Sequence, residues 1–354
     1  MGYRFRKGLV VGKFSPLHEG HIYLIRSALS DCEKLVIITY SYPEFPGCDP
    51  AEVKYWLESM FYAERDRITI IAPTVGRPHN KDPDSMHRKY CTNLLLDAGH
   101  TVDAVYTSET YGYGFAEYLT AEFQQLYGTE HTPAVKHICV DIIRHIFPVS
   151  GTAVRQSDVL TNLYVSDLVA ASFVPRVAFL GGESSGKTTL VGAVLTALQP
   201  KYAVAATHEY GRVLYERTGG RLLFDDMLHI GQTQVNWERK VAIHARRSAM
   251  SFGKPAVVLC DTTPLTTMWY SEAWYNMHVD QELEELSYRK YDLTVLCKND
   301  FEFVQDGTRV SPYFSQRAFE WYQEVLDIAK TKYIIVEGSV EERVEQVVQA
   351  IDAM

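Results

Sequence analysis

No apolar run in this chain reaches the ~18 residues that a membrane-spanning helix needs. An excess of positive charge is also missing. The 35 Lys and Arg against 44 Asp and Glu leave a formal charge of −9. That balance argues against broad binding to nucleic acid or an anionic membrane surface and leaves room only for local basic pockets. Cysteine is sparse: Cys32, Cys48, Cys91, Cys139, Cys260 and Cys297, with no CxxC pair among them. Neither a zinc ribbon nor a dithiol redox motif is therefore indicated. Cys139, Cys260 and Cys297 lie in strand-like runs (HICVD, AVVLCD, TVLCK), where buried reduced thiols are expected. Reduced thiols suit a cytoplasmic location. The opening MGYRFRKGLVVGKF is basic, but its apolar stretch is too short for a signal peptide and reads as the lead-in to a buried strand. No low-complexity segment, Ser/Gly linker or 20–50-residue repeat is present.

What is present is a globular balance: 354 residues, 46% apolar and 22% charged. This length predicts about two domains. Short apolar runs alternate with longer helical patterns, which predicts α/β domains with doubly wound parallel sheets. The strand candidates are Gly8–Phe14, Leu35–Ser41, Ile68–Ala72, Asp103–Ser108 and Lys136–Asp141, then Arg176–Leu180, Ala203–His208, Pro255–Cys260, Asp292–Cys297 and Tyr333–Glu337. Ser339 and Glu342 have capping-box spacing before an apolar stripe of Val340, Val344, Val347, Val348 and Ile351. Pro175 interrupts the pattern just before the second series, so the expected domains are residues 1–172 and 173–354.

Each series opens with a phosphate-type loop. In GLVVGKFSPLHEGH, His18 and His21 flank Glu19-Gly20 where a helix should begin. A helix N-terminus offers unpaired N–H groups and a positive dipole end, and two imidazoles there can donate to phosphate oxygens. Gly12, Lys13, Phe14 and Ser15 make the preceding turn and, with Gly151 downstream, are expected to contact the same nucleotide. At this composition H-x-G-H has roughly 0.025 chance matches. Downstream, FPVSGTAVR places Ser150, Gly151, Thr152 and Arg155 at a loop-to-helix transition. Taken alone, Ser150 there is most simply a helix cap.

The second opening, RVAFLGGESSGKTTL, contains a P-loop. Gly181, Gly182, Glu183, Ser184, Ser185, Gly186, Lys187, Thr188 and Thr189 run from a strand into an apolar helix. Glycines allow the tight loop, backbone N–H groups cradle phosphate, Lys187 meets β/γ oxygens, and Thr188 can bind Mg²⁺. Chance expectation is roughly 0.007 matches. Phosphorylating a hydroxyl also needs a carboxylate to take the proton. Glu209, in HEYGR, and Asp261, at the end of AVVLCD, are the candidates, and Asp261 also suits the Mg²⁺ shell. Arg309 and Arg317 are candidate lid arginines, with a solvated loop as the alternative.

HEGH followed by S-G-T-x-x-R resembles the nucleotidyltransferase superfamily. With GGESSGKTTL, HEYGR, DTTPLTT and VLCKNDFEFVQDGTR in the same chain, the sequence resembles the NadR family of nicotinamide-nucleotide adenylyltransferase/ribosylnicotinamide kinases over nearly its whole length. The resemblance implies that an N-terminal domain transfers AMP from ATP to NMN and a C-terminal domain phosphorylates nicotinamide riboside with ATP-Mg²⁺. It implies His18, His21, Ser150, Thr152 and Arg155 on the first triphosphate, residues 181–189 on the second, and Glu209, Tyr210, Arg212 and Asp261 near the nucleoside. The family's D-T-D-x-x-T-T segment has Thr263 here in place of its second acid, which shifts the expected base to Glu209 or Asp261. Some members carry an N-terminal helix-turn-helix domain, and this sequence starts about seven residues before its first strand. For Trp56, His79, Asn80, Tyr111 and Tyr113, core packing is the default and a nicotinamide pocket the alternative. The readings that stay open are an adenylyltransferase with another phosphate acceptor, a deoxynucleoside kinase, and a nucleotide sensor without turnover. Small-molecule partners are expected, with no nucleic acid or membrane, and self-association into a homo-oligomer is left open.

Overall fold

A computed structural model describes every residue except Met1, His131 and Thr308. The chain divides into two compact units, Met1–Ala170 and Ala171–Met354. Ala171 and Ser172 go with the second unit because the buried Arg176 holds them. Its Nη1 donates to the Ser172 carbonyl at 3.0 Å and its Nη2 to that of Ala171 at 3.4 Å.

The first unit carries five parallel strands, β1 (Phe5–Gly12), β2 (Cys32–Thr39), β3 (Ile68–Ile71), β4 (Ala104–Thr107) and β5 (Lys136–Cys139), in the order β3-β2-β1-β4-β5. The second carries β6 (Arg176–Gly181), β7 (Ala203–Thr207), β8 (Ala256–Asp261), β9 (Leu293–Cys297) and β10 (Tyr333–Val336), also all parallel, in the order β10-β9-β6-β8-β7. Both are the doubly wound α/β arrangement expected from the alternating pattern. Strands buried on both faces read as near-continuous apolar runs, and β6, buried along all six residues, is apolar after its first residue, Arg176. The hydrogen-bond ladder trims the predicted ends: Phe14 and Ser41 fall outside their strands, and Asp261 closes β8.

In each sheet the first strand lies in the centre and successive strands are laid to either side of it. Such a switch leaves a crevice at the carboxyl ends of the strands, where ligands of open α/β sheets bind. Helix Glu19–Asp31 covers one face of the first sheet with Ile22, Ile25 and Leu29. In the second unit, helices Lys187–Leu198 and Val340–Asp352 pack together over β6, β9 and β10. The C-terminal helix starts as predicted. The Glu342 N–H donates to Ser339 Oγ at 3.2 Å and the Ser339 N–H to Glu342 Oε2 at 2.8 Å.

Trp56 belongs to the core rather than to a ligand pocket. It is 0% exposed and packed with Val53, Leu57 and Phe61. Trp56→Ala is expected to cost the first unit about 3–5 kcal/mol, read as earlier amide exchange in residues 5–107 with the second unit's exchange unchanged.

Candidate active sites

The first cleft lies where the switch rule places it. Val11 and Gly12 at the end of β1 and Thr107 and Ser108 at the end of the neighbouring β4 line a cleft together. After Gly12 the chain turns sharply, with Phe14 at φ +46° and a cis Ser15–Pro16 bond, and His18 then caps helix Glu19–Asp31. A Cβ on Gly12 would stand 2.9 Å from the Phe14 ring, so the turn requires glycine there. Phe14 is buried and meets the His21 ring edge-on at 5.0 Å.

His18 and His21 stack, with centroids 3.6 Å apart. Burial, with a smaller push from Arg144, lowers His18 to about 4, and burial, His18 and Arg144 hold His21 well below its usual value. Both rings are thus neutral at pH 7. His18 Nδ1 is buried with no protein partner. Such an atom costs free energy unless a ligand meets it.

The two halves of the first motif come together. Gly151 packs against the Ser15 carbonyl, which lies 3.0 Å from where a Cβ would stand. Arg155 donates from Nη1 to that same carbonyl and from Nη2 to Thr152 Oγ1 at 3.1 Å, and its guanidinium lies over Phe45. Ser150 caps the short helix Gly151–Arg155 through the Ala153 N–H at 3.2 Å while also lining the cleft. Lys13, Ser15, His18, His21, Thr152 and Arg155 line the same space. Burial, then the neighbouring Arg155, lowers the Lys13 pKa.

Sequence reasoning missed Arg144. Its guanidinium donates to Val149 O at 3.2 Å and Glu109 Oε1 at 3.3 Å, and it lines the cleft beside the histidines. Asp141 shapes the loop that carries it, accepting backbone N–H groups of His145 and Ile146 at 2.7 and 3.1 Å. The only hint was an arginine just upstream of VSGT, with no spacing to mark it. Of the uncertain aromatic segment, Asn80 and Tyr111 line the cleft, whereas His79 and Tyr113 do not.

In the second unit the loop after β6 is a formed P-loop. Gly181, Ser184 and Gly186 have φ of +146°, +60° and +81°. Lys187 Nζ donates to the Gly181 and Gly182 carbonyls at 2.9 and 2.8 Å. Thr188 Oγ1 donates to Asp261 Oδ2 at 2.7 Å, and Asp261 Oδ1 is buried with no hydrogen-bond partner. A hydroxyl beside an orphaned carboxylate oxygen is a donor set that fits Mg²⁺ carried in with phosphates.

Beside the loop is a narrow cleft, walled by Tyr215, Tyr270 and Trp274 and by Leu222, Met227 and Ile230. Glu183, Glu209, Arg212, Gln234 and Arg309 supply its polar groups. Burial, reinforced by Asp261, raises the Glu209 pKa against the pull of Lys187 and Arg212. Glu209 pairs with Arg212 at 3.5 Å, Arg212 with Asp306 at 3.5 Å, and Asp306 with Arg309 at 3.2 Å. Glu183 accepts from the Val310 N–H at 2.6 Å and from Tyr270 OH at 3.0 Å, so it holds the Arg309 segment against the P-loop. Tyr210 is buried among Met227, Ile230 and Leu283, and its OH meets His229 at 3.0 Å, so it supports the cleft rather than lining it. Arg317 is exposed and away from the cleft. Thr263 is 2% exposed and caps helix Pro264–Trp274 through the Leu265 N–H at 3.2 Å.

A family model described as an AAA domain matches residues 176–343. Two proteins named trifunctional NAD biosynthesis/regulator protein NadR, from Escherichia coli (strain K12) and Salmonella typhimurium, are 26% and 27% identical to this chain over 318 residues. Each match covers 85% of this chain and 71% of the relative. The chain is a NadR homologue. Among solved structures, a NadR protein in complex with NR aligns at TM-score 0.48 and 17% identity, covering 98% of this chain and 95% of that one. A NadR protein in complex with NAD and AMP-PNP aligns at TM-score 0.47 and 17% identity, covering 99% and 96%. A thymidylate kinase from Ehrlichia chaffeensis aligns at TM-score 0.38 and 16% identity, covering 50% of this chain and 98% of its own. Among the described residues of this NadR homologue, no helix is long and apolar enough to cross a membrane.

The depressed His18 value sets a pH dependence. Its folded pKa lies below the unfolded value near 6.5, so the unfolded chain takes up the proton more readily and stability falls as pH drops from about 6.5 to about 4. The loss for His18 is up to about 3 kcal/mol. Urea unfolding followed by first-unit amide exchange should show it, and His18→Asn should flatten the slope.

Proposed function

We propose that this chain is a bifunctional NAD salvage enzyme. The second unit phosphorylates nicotinamide riboside with ATP, and the first joins the resulting NMN to the AMP part of another ATP, giving NAD⁺ and pyrophosphate. One observation carries the reading. Each unit sets a phosphate-binding loop at the carboxyl end of its central strand, and the two loops differ in kind, a histidine pair in one and a Lys-Thr-Asp set in the other. The NadR relatives are named for NAD biosynthesis, which supports assigning the pair to that chemistry.

In the first unit the NMN phosphate oxygen attacks the α-phosphorus of ATP, and the α–β bridging P–O bond breaks. The attacking group is already ionised, so no base is needed. Catalysis rests on alignment and on donors that meet the charge developing on pyrophosphate. His18, His21, Thr152, Arg155, Lys13 and Arg144 are those donors, with Ser150 fixing the start of their helix. Entry of the triphosphate replaces the repulsion by Arg144 with attraction, which raises the imidazole pKa values and strengthens the ring donors.

In the second unit the riboside hydroxyl attacks the γ-phosphorus and ADP leaves. Thr188 and Asp261 would hold Mg²⁺, which would neutralise charge on the reacting phosphates. The base follows from how the carboxylates are engaged. Asp261 is bound to Thr188, and Glu183 is held by Val310 and Tyr270. Glu209 lines the acceptor cleft with its pKa raised toward the range of a base working near neutral pH. The substrates are small molecules. Six unpaired thiols fit a cytoplasmic setting.

With riboside and ATP-Mg²⁺ supplied and products followed by mass, His18→Ala should stop NAD formation while NMN accumulates. Lys187→Ala should stop NMN formation yet still convert added NMN to NAD. Full turnover in both variants refutes the site assignment, and faster turnover of thymidine or deoxycytidine than of the riboside refutes the acceptor. Glu209→Gln should lower the riboside kinase kcat roughly 10²–10⁴-fold with little change in KM for ATP.

A further inference from the structure

We infer that Arg343, on the C-terminal helix and outside the recognised motifs, is a positioning residue that aims the P-loop's Gly186 N–H at the bound phosphate. The inference deepens the kinase reading above and rests on it only in taking the P-loop as a phosphate site.

Arg343 is 1% exposed, although arginine is almost never fully buried without partners. Its guanidinium joins three segments that are distant in sequence. Nη1 donates to the Ser185 carbonyl inside the P-loop at 3.0 Å. Nε donates to the Gly338 carbonyl, just past β10, at 3.0 Å. Nη2 donates to the Lys298 carbonyl, just past β9, at 3.2 Å and also to Asp300 Oδ1. Asp300 closes the arrangement by accepting the Gly338 N–H at 2.8 Å. The flat face of the guanidinium lies 4.1 Å from the Phe301 ring centroid, and the same ring stands 3.0 Å from where a Cβ on Gly186 would be. Arg343 therefore grips the 185–186 peptide directly and braces it through Phe301.

The consequence follows from peptide geometry. In a planar trans peptide the C=O and the next N–H point in opposite directions. With the Ser185 oxygen fixed on Arg343, the Gly186 N–H is turned away from the C-terminal helix, toward the concave side of the loop where Lys187 already reaches the Gly181 and Gly182 carbonyls. Gly186 has φ +81°, so the intrinsic backbone preference at this residue is weak and an external hold has something to set. Lysine cannot replace the fork. It is a point donor and cannot bond three segments in one plane.

The test uses the full chain. ADP titration, counting only the component lost in Lys187→Ala, reports the second unit's phosphate affinity whatever the acceptor is. Arg343→Lys should weaken that component about tenfold and raise the KM for ATP by a similar factor, with the riboside KM and NMN adenylylation unchanged. Asp300→Asn removes the same ion pair but leaves the guanidinium on the Ser185 oxygen, and it should keep ADP affinity within about twofold. Unchanged ADP affinity in Arg343→Lys overturns the inference. Equal losses in the two variants also overturn it, because Arg343 would then only hold the fold together. Absence of riboside phosphorylation alongside the expected ADP pattern would remove the acceptor assignment and leave Arg343's role standing.

Discussion

Both sites depend on one constraint: a helix that begins just after a parallel strand has N–H groups in its first turn with no partners inside the helix. The carboxyl edge of each sheet presents such a turn at its central strand, at Glu19 after β1 and at Lys187 after β6. Packing cannot satisfy these groups without filling the crevice that the strand order creates. An anion satisfies them and also meets the positive end of the helix dipole. Glycine lets the chain come this close. Gly151 rests on the Ser15 carbonyl, and Gly182 packs so tightly on Ser315 that a Cβ would stand 2.3 Å from its backbone oxygen.

The two cradles part ways in electrostatics. The first is built on stacked imidazoles that burial keeps neutral, ringed by Lys13, Arg144 and Arg155. Neutral donors and fixed cations are enough when the attacking group is already an anion. The second holds an ammonium, a hydroxyl and a carboxylate together, with further carboxylates in the adjoining cleft. A neutral hydroxyl acceptor needs that additional acid–base capacity, and it needs a wall that binds a nucleoside by apolar contact. On the proposed reactions the product of the second unit is the acceptor of the first, so one chain carrying both cradles would supply its own intermediate.

The strands were legible because a strand buried on both faces cannot avoid an apolar run, and their boundaries shifted only where the ladder rather than hydrophobicity decides. HEGH and GGESSGKT were legible because each is local: the residues that line one end of a cleft there are neighbours in sequence. Arg144 and Arg343 were not. Arg144 reaches its cleft from an irregular loop shaped by Asp141, where no periodicity exists to read. Arg343 sits on an ordinary amphipathic helix, and its importance comes from partners at Ser185, Lys298 and Asp300, brought to it only by sheet topology. Tyr210 misled for the converse reason: its motif neighbours Glu209 and Arg212 reach the cleft, and one step of helix turns the ring into the core.

Thr263 shows how a departure from the family pattern can be physically quiet. Its hydroxyl caps the helix beginning at Pro264, a position where aspartate and threonine are both favoured because each offers an oxygen to the first-turn N–H groups. At 2% exposure, and with that oxygen engaged, the position faces the helix start rather than the acceptor cleft. An acid here would cap in the same way and could not also take a proton from a substrate hydroxyl without releasing the N–H it holds. The substitution therefore removes a negative charge near the buried Asp261 while leaving Glu209 as the cleft carboxylate not held by a hydrogen-bonded donor. Its Arg212 contact is a loose one at 3.5 Å, partly shared with Asp306.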